Sequence, residues 1–91
     1  MPVVVFTVQL ADGTTKQCYS PSSVVRRYFA TGEEMPAAEF LARSSEALAA
    51  ASERVRERFG FACSSAVTEM ADIEQWMSGV PSHSMVRILN I

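Results

Sequence analysis

Histidine occurs once in this 91-residue chain, at His83, and cysteine only twice, at Cys18 and Cys63. A zinc or iron–sulfur site needs several such ligands at short spacing, and no CxxC or HxxxH spacing occurs, so no metal is expected. Two cysteines make no disulfide framework, which points to a reducing compartment. Glycine is scarce: Gly13, Gly32, Gly60 and Gly79 each stand between elements, leaving no glycine-rich phosphate loop. There is no basic excess either, with 8 Lys and Arg against 10 Asp and Glu, which argues against a nucleic-acid partner. No apolar run approaches the ~20 residues of a membrane span. The N-terminus lacks a basic start leading into an apolar stretch and a small-residue cleavage site. These absences lead to the expectation of a cytoplasmic protein with no cofactor.

What is present is a globular composition, 48% hydrophobic and 20% charged. One domain over residues 1–91 is expected, able to bury roughly 60–70% of its unfolded surface. Val4, Phe6, Val8 and Leu10 alternate with Val5, Thr7 and Gln9, the period of a strand with one apolar face. Asp12-Gly13 suits a hairpin turn, and Thr14 to Tyr19 returns as a second strand. A two-residue turn would pair Phe6 with Tyr19; one more turn residue would bring Cys18 opposite Phe6 and onto the apolar face.

Ser20-Pro21 reads as a helix start, with a short helix over Pro21–Phe29 carrying Val24, Val25, Tyr28 and Phe29. Thr31-Gly32 interrupts, and Pro36 opens a long helix to Phe59. Its expected stripe is Leu41, Leu48, Val55 and Phe59, joined by Ser45 and Ser52. Its middle is rich in small residues, which permit close approach by another element. Glu39 and Arg43 form a favourable i,i+4 pair, and Arg54, Arg56 and Arg58 match the helix dipole. Gly60 is placed to end this helix in the left-handed conformation, with Phe61 folding back onto Val55. Ser64 or Ser65 can cap a third helix striped by Ala66, Met70, Ile73 and Met77, ended by Gly79 and Pro81. Met85 to Ile91 alternates again as a closing strand. The expected fold is therefore α+β in the order β-β-α-α-α-β. It has a three-stranded sheet, the last strand beside the first, and helices on one face.

Three groups of residues carry candidate chemistry. Cys18 and Cys63 are candidate functional thiols: Cys63 lies near a helix start whose positive end lowers a thiol pKa. Each also fits the role of a small buried hydrophobe. Ser20 and Ser22 flank a helix start and, with Arg26 and Arg54, are candidates for binding an anionic ligand. Ordinary capping is the simpler account of the serines, and Glu53 and Glu57 interleave with the helix-end arginines as a self-compensated surface. Trp76, with Met70 and Met77, is either core or an anchor for another subunit, and a homodimer is one expected state. No residue is assigned a catalytic role.

Several stretches resemble one family. They are Asp12-Gly13, Cys18-Tyr19-Ser20-Pro21-Ser22, Tyr28-Phe29, Phe40-Leu41-Ala42-Arg43-Ser44, Ala51-Ser52-Glu53-Arg54-Val55-Arg56 and Phe59-Gly60-Phe61-Ala62-Cys63-Ser64. Together they resemble the small bacterial nitrogen-starvation response proteins, over Val3 to about Ile73. Phe59 stands where the family pattern has Tyr. The resemblance implies a protein encoded beside a nitrilase, a radical-SAM enzyme, an N-acetyltransferase-like protein and a flavin-dependent oxidoreductase. The cluster enzymes are then expected partners, and the expected role is a non-catalytic accessory or binding protein. The alternative is a small thiol-dependent enzyme or carrier using Cys63 and perhaps Cys18.

Overall fold

A computed structural model describes residues 3–60 and 64–91. Strands β1 (Val4–Leu10), β2 (Thr15–Ser20), β3 (Glu34–Pro36) and β4 (Met85–Asn90) form one antiparallel sheet in the order β2-β1-β4-β3. Helices α1 (Ala37–Phe59) and α2 (Ser64–Trp76) cover one face, together with a short 3-10 helix over Ser23–Arg27. The last strand does lie beside the first.

The hairpin takes the longer of the two turns. Leu10 N–H donates to Thr14 O at 2.8 Å and Gly13 N–H to Leu10 O at 3.0 Å, so Ala11, Asp12 and Gly13 form the loop. Gly13 has φ 93°, the left-handed conformation that a three-residue hairpin loop asks of its last residue. That register sets Cys18 opposite Phe6 and buries both. The core face of the sheet is then Val4, Phe6, Val8, Leu10, Cys18, Met35, Val86 and Ile88.

Three expectations are corrected. The sheet has four strands, not three. The added β3 is three residues long, too short to show a period of two, and is held because Met35 is buried opposite Val86. As an edge strand it tolerates Pro36, whose missing N–H costs no ladder bond there. There are two α-helices, not three, since Pro21–Phe29 forms only the five-residue 3-10 helix. Its cap is Ser22, whose Oγ accepts from Val24 N–H at 3.3 Å, and Tyr28 N–H closes it onto Val25 O after a single turn.

The third correction is the face of α1. Its buried stripe is Phe40, Ser44, Ala47, Leu48, Ala51 and Val55, while Ser45 is exposed, and Leu41 and Ser52 are half-buried. Ala47 and Ala51 are fully buried, so the small residues let the helix backbone settle close to the layer beneath. Phe40 meets Phe29 at a ring-centroid distance of 5.7 Å, and Phe29 meets Phe6 at 5.7 Å.

Pro36 offers α1 no side-chain cap; the free N–H groups of Ala37 and Ala38 donate instead to Ser84 O and Ser82 O, at 2.8 and 3.1 Å. At the other end Gly60 adopts φ 82° and its N–H reaches Arg56 O at 2.7 Å, as the sequence predicts. Phe61 and the thiol of Cys63 lie outside the described residues, as do the cap side chains of Ser64 and Ser65.

Candidate functional site

Of the thiols, Cys18 sits in the core on β2. Burial, reinforced by the Glu69 carboxylate, pushes its thiol up to about 12. Glu69 of α2 lies over the same strand, its Oε1 accepting Tyr19 N–H at 3.0 Å. This contact seals part of the sheet's edge with a helix side chain. Ser20 and Ser22 come together in the turn after β2 and are buried. Ser20 Oγ donates to Ser22 O at 2.8 Å and accepts from Ser22 N–H at 3.3 Å. Both hydroxyls are thus engaged with backbone. Arg26 and Arg54 are exposed and make no ion pair among the described residues. Among the described residues no side-chain hydrogen bond ties either arginine to the serines.

The Glu39–Arg43 pair forms at 3.0 Å and belongs to a larger clamp. Arg43 also donates to Glu33 Oε2 at 2.8 Å and Tyr28 O at 3.2 Å. The guanidinium holds the Glu33 carboxyl below the usual carboxylate range, and the carboxylate raises Arg43 in turn. This clamp ties the 3-10 helix and the β3 approach to α1. It is surface architecture, about a third exposed on each side.

An open hollow lies between the two helices. Ser45, Leu48, Ala49 and Ser52 of α1 face Ala66, Val67, Met70, Ala71 and Glu74 of α2 across a volume of about 510 Å³. Its floor is aliphatic, with Leu48 and Ala66 buried and Met70 half-buried. Val67 stands on its wall with 70% of its surface exposed. Exposure of a large aliphatic side chain beside other apolar surface marks a face that gains free energy when covered. Among the described residues, the hollow's only titratable lining group is Glu74. Reading Ser45 and Ser52 as part of the buried stripe hid this site in the sequence. The outward Val67, Ala71 and Glu74, one step off the Met70–Ile73 stripe, are the signal that could have located it.

Among the described residues no group of three or more His, Cys, Asp or Glu side chains converges to hold a metal ion, and no helix is long and apolar enough to cross a membrane. Comparison with curated proteins and with solved structures gives no match. A family model described as "Nitrogen starvation-induced protein NitG" matches residues 5–91. The match extends past Ile73 to include β4, the strand at the centre of the sheet that the shorter resemblance leaves out. From its first strand to its last, the chain belongs to the NitG family of nitrogen starvation-induced proteins.

Proposed function

We propose that the protein is a non-catalytic accessory or binding module of a cytoplasmic, nitrogen-starvation-induced metabolic system, and that it works by holding a protein partner on the α1–α2 face. The observation that carries this reading is the open aliphatic hollow flanked by Val67, on a helix where Ile73 is buried and Met70 and Trp76 are half-buried. A surface of this chemistry suits burial against another protein better than acid–base work. The family's description supports the setting. The enzymes encoded with the family (nitrilase, radical-SAM enzyme, flavin oxidoreductase) are the first partners to test, and a homodimer is the other. The test is affinity purification of the tagged chain with each of these enzymes, with sizing by sedimentation. A stoichiometric complex is expected; a chain that binds none of them, stays monomeric and turns over a metabolite overturns the reading.

The second reading is a thiol-dependent enzyme or carrier. Burial of Cys18 and its raised thiol pKa weigh against that residue as the nucleophile, so the reading rests on Cys63. It calls for rapid alkylation of Cys63 near neutral pH; slow alkylation in the folded protein removes its basis.

A further inference from the structure

Resting on the proposed binding role, we infer that the α1–α2 groove takes a short amphipathic helix with a cationic flank from a partner protein. Three features select that occupant. The first is length: the lining runs from Ser45 to Ser52 on α1 and from Ala66 to Glu74 on α2. Each wall is about two helical turns, ~10–12 Å at 1.5 Å per residue. That matches the span of anchors at i, i+3 or i+4, and i+7 on a docked helix.

The second is backbone chemistry. Both walls are helices whose N–H and C=O groups are engaged in their own ladders. An extended segment laid along this floor would bury amides without partners, at a cost of several kcal/mol for the segment. A helix arrives with its backbone already satisfied.

The third is charge. Glu74 lines the groove and has no ion-pair partner among the described residues. At the far end Arg56 is engaged by Glu53 at 3.8 Å. The titratable group among the described lining residues is therefore acidic, and the complementary occupant presents Lys or Arg beside its apolar seam.

The test uses the full chain and two synthetic helical peptides of about four turns. They share one Leu/Ala seam, and one is flanked by lysines, the other by glutamates. Fluorescence anisotropy at low salt is expected to show the lysine-flanked peptide binding at least tenfold more tightly. Val67→Lys should weaken that binding tenfold or more, and Glu74→Lys should reduce or reverse the preference. Thermal melts of both variants check that they fold. Equal binding of the two peptides, no binding of either, or binding indifferent to Val67→Lys in a folded variant overturns the inference. So does a dimer of this chain that Val67→Lys dissociates, because the groove is then covered by a second copy. A partner enzyme that still co-purifies with folded Val67→Lys refutes the groove but keeps the binding role, whereas loss of every partner from the unmodified chain refutes the role itself.

Discussion

At Cys18 the sulfur packs opposite Phe6, and desolvation keeps it a neutral thiol. Alkylation of Cys18 in the folded protein is therefore expected to be slow from pH 7 to 9, followed by mass spectrometry of the peptide that carries it. The native state keeps a proton that an ordinary thiol gives up near 9.0, so stability is fully present below that pH and falls as pH climbs toward about 12. Denaturant midpoints at pH 8 and pH 10 should separate by more in the parent than in Cys18→Ala. Ser44 is the other informative residue: it is 1% exposed and its Oγ has no hydrogen-bond partner among the described residues. Ser44→Ala removes a desolvated hydroxyl and adds helix propensity, and should stabilise by about 0.5–1 kcal/mol, read as a higher melting temperature. A loss of stability would mean that the hydroxyl is satisfied in solution.

Among the elements, α1 depends on devices at both ends. At Gly60 an added Cβ would meet no atom of the described residues within 4 Å, and the cost of Gly60→Ala comes from the positive φ. The expected loss is about 1 kcal/mol, or roughly 4–8 °C in melting temperature for a domain of this size. Gly60→Asn, better suited to the left-handed region, should lose less. The glycine stop, the long helix from Ala37 and the two alternating strands around the Asp12-Gly13 loop were all legible in the sequence. Each rests on contacts among near neighbours or on an unbroken period. The cap at the helix start was not legible, because its acceptors are the carbonyls of Ser82 and Ser84, more than forty positions away. The 3-10 helix was overread: Val24, Val25, Tyr28 and Phe29 fit helical spacing, but the turn is claimed by Ser22 and closes at Tyr28.

For the whole molecule, the Phe6–Phe29–Phe40 row joins sheet, 3-10 helix and α1 across one core. Phe40→Ala should cost about 3–5 kcal/mol, a large share of the ~5–15 kcal/mol typical of small domains. It should shift all spectroscopic probes together in a single unfolding transition; separate transitions by different probes would show that the two helices fold independently of the sheet. By itself the sequence determined the α+β class, the apolar face of the first and last strands, the ends of the long helix and, through motifs spread along the chain, membership in a nitrogen-starvation family. Those follow from local backbone preference and from apolar periodicity, both of which act within a few residues. Tertiary structure alone decided the fourth strand, the hairpin register that buries Cys18, the rotation of α1 that seals Ser44 inside and leaves Ser45 out, and the groove beside Val67. Each depends on which surfaces meet across the chain, and the rotation of a helix by part of a turn is set by the layer it packs against.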